Sequence, residues 1–194
     1  MEPINVVLYG AMGRMGGEVL GALCRDPELV AVGGVDLRGD RDRLPLPDGS
    51  CEIPLSSDLE SIILGSNPDV VVDFTTAEAT RAAVPVCLGH GVNLVIGTTG
   101  LTTDDIAEIE RLCREKGVGA VVAPNFALGA VLMVHLAKIA ARFFDYAEIV
   151  EMHHEGKGDA PSGTAISTAR AMIEARGEPF EKAMVKKESL AGTR

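Results

Sequence analysis

The chain has 194 residues, 46% of them hydrophobic and 24% charged, a mix that folds and excludes disorder as the main state. Its 18 Lys and Arg against 28 Asp and Glu leave a formal net charge of −10, so no positive surplus exists to release counterions from nucleic acid or an anionic membrane. Glycine is abundant, 22 residues against a usual ~7% of a chain, while aromatics are only 4%, which suits tight turns around a small ligand better than a stacking platform for bases.

The cysteines Cys24, Cys51, Cys87 and Cys113 form no CxxC pair, so neither a zinc knuckle nor a dithiol redox motif is expected. Met1–Asn5 has no basic run leading into an apolar one. The most apolar stretch, Ala127–Val134, is too short to cross a bilayer. The resulting expectations are no metal, no membrane, no nucleic acid and a cytoplasmic address.

In chain order, Ile4–Tyr9, Val30–Val35, Val70–Phe74, Val92–Gly97 and Val118–Ala123 read as strands. Each is mostly apolar rather than alternating, as strands buried on both faces of a parallel sheet are. Helices are predicted between them at Arg14–Cys24, Thr76–Gly89 and Thr103–Lys116. In the last, Ile106, Ile109, Leu112 and Cys113 share one face, Thr102 or Thr103 caps the start, and early acids suit the positive end of the helix dipole. Such repetition predicts a Rossmann-like, doubly wound α/β domain with a parallel sheet. The segment Arg38–Pro54, polar and with three prolines, reads as a surface loop.

Beyond Pro124 the pattern changes. Ala127–Phe144 reads as one long, mostly buried helix, Ala147–His153 as a strand, Glu155–Gly163 as a glycine-rich loop and Thr164–Arg176 as a helix. A boundary near residue 125 separates a first domain, 1–125, from a second α+β region, 126–194.

Gly10-Ala11-Met12-Gly13-Arg14-Met15-Gly16 directly follows the first strand and opens a helix. Glycines there permit a tight turn and close approach of the backbone to a pyrophosphate, and the helix N-terminus offers N–H groups and partial positive charge. Asp36 ends the second strand 20 residues beyond Gly16, where an acid accepts hydrogen bonds from an adenosine ribose. Glycines alone mark only a turn. Their place at the first strand–helix junction, with the acid downstream, favours a dinucleotide. Arg38, two residues past the acid, is placed either to meet a 2′-phosphate or to be a solvated loop charge, so NADH and NADPH both stay open. Gly97-Thr98-Thr99-Gly100 follows the fourth strand and faces the same crevice at the carboxyl ends of the strands. Asp73-Phe74-Thr75 belongs to that rim, unless Asp73 simply caps the next helix.

The densest chemistry is Glu151-Met152-His153-His154-Glu155-Gly156-Lys157-Gly158-Asp159-Ala160-Pro161-Ser162-Gly163-Thr164-Ala165. Histidine exchanges a proton near neutral pH, and lysine is tuned downward by burial. Ser162, Gly163 and Thr164 start a helix and form an anion seat. Both histidines ligating one ion would be awkward, because adjacent residues in a strand point to opposite faces.

This segment resembles the HHxxKxDAPSGTA signature of the 4-hydroxy-tetrahydrodipicolinate reductase (dihydrodipicolinate reductase) family, in the diaminopimelate route to lysine. The opening Val7–Gly16, Val72-Asp73-Phe74-Thr75, Gly97-Thr98-Thr99-Gly100 and Pro124-Asn125-Phe126 resemble that family too, in its order. The resemblance implies that Gly10, Ala11, Met12, Gly13, Arg14, Met15 and Asp36 hold the adenosine side of NADH or NADPH. It assigns the nicotinamide end to Gly97, Thr98, Thr99, Pro124, Asn125, Phe126 and Ala127. It makes His153 the proton donor and acceptor, Lys157 a second proton donor, and His154, Gly163 and Thr164 the binders of a small anionic cyclic imine. A homo-oligomer, a tetramer, is implied as well. Ala127 stands where the family often has serine, and Val131 where asparagine is frequent. The chain stops at Arg194, before the family's usual end, so the second domain, for substrate and oligomerisation, is expected to be truncated. The rival expectations are another two-domain NAD(P)-dependent dehydrogenase, which would not need the His-His-x-x-Lys segment, and a nucleotide-binding scaffold without chemistry.

Overall fold

Near-continuous valine, isoleucine and leucine runs form strands whose two faces are both covered. The computed structural model describes residues 2–38, 41–123, 125–153, 155–156 and 160–181. By its internal contacts the chain divides into two compact units, Met1–Ala123 and Pro124–Arg194.

The first unit runs β1 (Ile4–Tyr9), α1 (Arg14–Arg25), β2 (Leu29–Val35), β3 (Arg43–Pro45), β4 (Glu52–Ser56), α2 (Leu59–Ser66), β5 (Val70–Asp73), α3 (Ala77–Gly89), β6 (Asn93–Ile96), α4 (Thr103–Lys116) and β7 (Ala120–Val122). The strands form one sheet in the order β3-β4-β2-β1-β5-β6-β7, parallel except for the β3–β4 pair. Alternate residues of β1 feed two cores. Val7 packs with Val71, Leu94 and Ile96 and with α2, α3 and α4. Val6 and Leu8 face Leu20 and Leu23 of α1. This is the doubly wound architecture that the sequence predicts.

The chain leaves β1 toward β2 on one side and later returns to place β5 on the other, so the topological switch point lies between β1 and β5. Tyr9 pairs with both Val35 and Asp73, and Asp73 pairs with Ile96. Four carboxyl ends are therefore flush, and the residues that follow them, Gly10, Asp36, Phe74 and Gly97, form one row along the sheet edge.

Two parts of the first unit depart from expectation. The predicted loop Arg38–Pro54 contains the β3–β4 hairpin, in which Leu44 pairs with Ile53. Ile53 and Leu55 turn into the α1-side core while Glu52 and Pro54 stay outside, which is strand alternation masked by prolines. The short helix α2 has no counterpart in the sequence reading. Asp58 caps it, accepting from Glu60 N–H at 3.0 Å, and Leu59, Ile62 and Ile63 bury its inner face.

The second unit contains α5 (Leu128–Ala141), which packs against α6 (Gly163–Arg176). The expectation of a mostly buried helix over Ala127–Phe144 is corrected. Leu128 is 81% exposed, Val131, Leu132, Met133, Leu136 and Ile139 are exposed too, and only Ala141 is buried. Apolar residues surround this helix on all sides, and α6 covers only one of them. Residues 147–153 are also not a strand, because no described segment offers them a ladder of backbone partners. The helix predicted at Thr164–Arg176 is present as α6. No described helix is long and apolar enough to cross a membrane.

Candidate functional site

At the end of β1 the chain turns sharply. Gly10 adopts φ +88°, and a Cβ there would lie 2.8 Å from Phe74 O. The Gly10 and Ala11 amides both donate to Val35 O, at 2.8 and 3.1 Å, which locks the turn to the end of β2. Gly13 donates to Gly10 O at 3.0 Å and serves as the N-cap of α1, where it brings no side-chain oxygen to the first-turn amides. Gly16 is buried against the same turn, and a Cβ there would meet Gly10 O at 2.4 Å. Arg14 and Met15 begin α1 with exposed side chains.

Asp36 is 6% exposed and braces this turn. Its Oδ2 accepts from Met12 N–H at 2.9 Å and its Oδ1 from Arg38 N–H at 3.0 Å, with Arg38 Nε at 3.8 Å. A carboxylate offers about four lone-pair sites, so both oxygens keep capacity toward a ligand. Gly10, Gly13, Asp36, Arg38, Phe74 and Thr75 line a common cleft of about 240 Å³. The structure thus brings together predicted residues from the ends of β1 and β2 with Phe74 and Thr75, the rim residues expected at the end of β5.

Asp73 is fully buried and does not cap α3. That cap is Thr76, whose hydroxyl accepts from Ala79 N–H at 3.3 Å. Asp73 Oδ1 accepts from Thr75 N–H (2.9 Å), Thr75 Oγ1 (2.6 Å) and Thr98 Oγ1 (3.1 Å), and its Oδ2 accepts from Thr80 Oγ1 (2.6 Å). Thr98 Oγ1 also accepts from Thr75 N–H at 2.9 Å, so this hydroxyl is engaged inward, while Thr99 is exposed. Burial raises the Tyr9 hydroxyl pKa, with the Asp73 charge adding to it. Burial likewise pushes the Cys87 thiol up to about 12, again with Asp73 adding, which makes that cysteine an inert core residue. Thr80 belongs to no local motif, and the one signal that points to it is an acid ending a Val-Val-Val strand.

In the second unit, Asn125 Oδ1 accepts from Ala127 N–H at 2.8 Å just before α5, and Phe126 and Ala127 are exposed. Ser162 caps α6, its Oγ accepting from Ala165 N–H at 3.1 Å. Glu151, another residue the sequence reading assigned no role, accepts from Ser162 N–H at 2.8 Å through Oε1, while its Oε2 lies 3.8 Å from His153 Nδ1. The predicted proton carrier therefore sits beside a carboxylate that also holds the start of the helix carrying Gly163 and Thr164. Pro124, His154 and Lys157 lie outside the described residues. Among the described residues no cluster of three or more His, Cys, Asp or Glu is placed to hold a metal ion.

Residues 4–126 match the family model of the dihydrodipicolinate reductase N-terminus, and residues 129–193 match that of its C-terminus. A 4-hydroxy-tetrahydrodipicolinate reductase of Dehalococcoides mccartyi is 54% identical over 182 residues, covering 94% of this chain and 69% of the relative. The reductase of Bacillus subtilis (strain 168) is 41% identical over 195 residues, covering 100% of this chain and 73% of its own. The solved dipicolinate-bound dihydrodipicolinate reductase from Paenisporosarcina sp. TG-14 superposes with a TM-score of 0.82 at 37% identity, over 99% of this chain and 74% of that one. Both the glycine turn and the histidine segment fall within matched stretches, and the chain belongs to the dihydrodipicolinate reductase family.

Proposed function

We propose that this protein reduces 4-hydroxy-tetrahydrodipicolinate, a cyclic imine dicarboxylate, to tetrahydrodipicolinate with NADH or NADPH, the 4-hydroxyl leaving as water. The match of both halves of the chain, in order, to the two parts of one reductase model carries the reading. The residues present fit a dinucleotide. Gly10 and Gly13 keep both ends of the turn free of side chains, no side chain caps the first-turn amides of α1, and Asp36 lines the cleft. When bound, the cofactor supplies a hydride.

The first domain, 1–125, holds the adenosine side on Gly10–Met15, Asp36 and Arg38, and Gly97–Thr99 with residues 124–127 hold the nicotinamide end. The second domain, 126–194, holds the substrate. Gly163 and Thr164, at the start of α6, offer amides to a substrate carboxylate, and the Ser162 cap with the Glu151 brace keeps that turn in place. His153 delivers the proton that quenches the charge left by hydride addition. Lys157 and His154 supply positive charge and a second proton, roles that rest on the resemblance, as does a homo-oligomeric state. Dipicolinate in the Paenisporosarcina reductase is a planar dicarboxylate of the same class as the proposed substrate.

The test follows consumption of NADH and of NADPH with and without the cyclic imine. Consumption only in its presence is expected, whereas consumption with a different carbonyl or imine and none with this one would overturn the reading.

A further inference from the structure

We propose that Asp73 is a positioning residue for the cofactor cleft, acting through Thr75 and Thr98 on the two turns that border it; this rests on the proposed reading of the cleft as an NAD(P)H site. Asp73 ends β5 at the topological switch point, where ligands of open α/β sheets bind. Its carboxylate is 0% exposed, and a carboxylate removed from water is costly unless its lone pairs are filled. Three threonine hydroxyls and one amide fill them. A valine would continue the Val70–Val72 run without that cost, so stability alone gives this strand end no need of an acid.

The acid acts on what its donors carry. Thr75, held by both its amide and its hydroxyl, lies in the cleft wall with Phe74. A Cβ on Gly10 would come within 3.1 Å of Thr75 Cγ2, so the glycine turn rests against this segment. On the other side, Thr98 Oγ1 bridges Thr75 N–H and Asp73, and Gly97 N–H donates to Asp73 O at 2.9 Å. A Cβ on Gly97 would lie 2.1 Å from the Phe74 ring, so that ring packs directly on the Gly97 backbone. The carboxylate of Asp73 therefore sets the spacing between the glycine turn and the Gly97–Thr99 turn. Thr80 anchors the carboxylate from α3, and its own side chain is fully buried.

The test uses Thr80→Val, which removes an anchoring hydroxyl from a side chain that touches no ligand, together with Asp73→Asn and Thr80→Ser. Each variant is checked for a cooperative melt, and the dissociation constants for NADH and NADPH are measured by calorimetry on the folded protein. A purely structural role lowers the melting temperature and leaves those constants alone. Positioning predicts that Thr80→Val and Asp73→Asn weaken both cofactors about tenfold, while Thr80→Ser, which keeps the hydroxyl, stays near wild type. Affinities within twofold of wild type in whichever of Thr80→Val and Asp73→Asn folds, or a Thr80→Ser protein as weak as Thr80→Val, overturn the proposal. Wild-type protein that binds neither cofactor contradicts the functional reading itself, a separate failure.

Discussion

The Asp36 carboxylate accepts the Met12 amide across 2.9 Å, so the acid at the end of β2 is a structural brace of the glycine turn. It faces the cleft with Arg38 beside it, and two different losses are expected on its removal. Asp36→Ala weakens NADH and NADPH alike by about 1–2 kcal/mol through loss of the charged acceptor. It also raises the relative affinity for NADPH, since a carboxylate repels a 2′-phosphate, and Arg38→Ala lowers it. Competition calorimetry with both cofactors checks this, and a ratio unmoved in either variant removes these residues from the ribose.

Gly16 and Gly17 are neighbours with opposite expected effects. A methyl group at Gly16 would stand 2.4 Å from Gly10 O and 2.5 Å from Ala11 O, so Gly16→Ala must push the turn open. It should cost about 1–3 kcal/mol of stability and weaken cofactor binding. Gly17 has nothing within 4 Å, and Gly17→Ala should stabilise α1 by up to ~1 kcal/mol. Denaturant melts of the two proteins should move in opposite directions.

The parallel sheet was legible because Ile4–Tyr9 and Val70–Asp73 are apolar runs, and the glycine turn because its spacing is local. The Asp73 knot was not, since Thr80 and Thr98 reach it only once α3 folds back and β5 and β6 pair in register. The β3–β4 hairpin was hidden by Pro45 on the edge strand and by Pro54, which precedes the residues pairing with β2. Hydropathy also overstated the burial of α5, because a pattern reports what a helix wants to cover and not whether the cover is present. The Glu151 brace was not legible because its partner, Ser162, lies eleven residues downstream.

Acid should weaken the first unit through Asp105. Arg81 binds this carboxylate at 2.7 and 2.9 Å and Thr102 adds its amide and hydroxyl, which together hold the Asp105 pKa far below the usual carboxylate range. A depressed folded-state pKa contributes stability that is fully present above the unfolded value, about 4, and is lost as pH falls toward the folded one. Asp105→Asn should therefore be less stable than wild type near pH 7, with the gap narrowing near about pH 3. Urea midpoints at the two pH values test this; an equal gap at both would contradict it.

His153 is expected to act on the chemical step alone. Replacement by glutamine should lower kcat by about 10²–10⁴-fold, the usual contribution of a general acid, and leave NADH affinity in place. Steady-state kinetics paired with calorimetry separate the two quantities. Near-full kcat across the pH range would move the proton carrier elsewhere.

Transfer of label from cofactor to product tests the central claim most directly. NADH or NADPH carrying deuterium at the transferable nicotinamide position is mixed with the protein and 4-hydroxy-tetrahydrodipicolinate, and the product is weighed by mass spectrometry. The account predicts tetrahydrodipicolinate bearing one deuterium, at wild-type rate in the intact protein and strongly slowed in His153→Gln. Unlabelled product, or oxidised cofactor with the 4-hydroxy substrate unchanged, would contradict it.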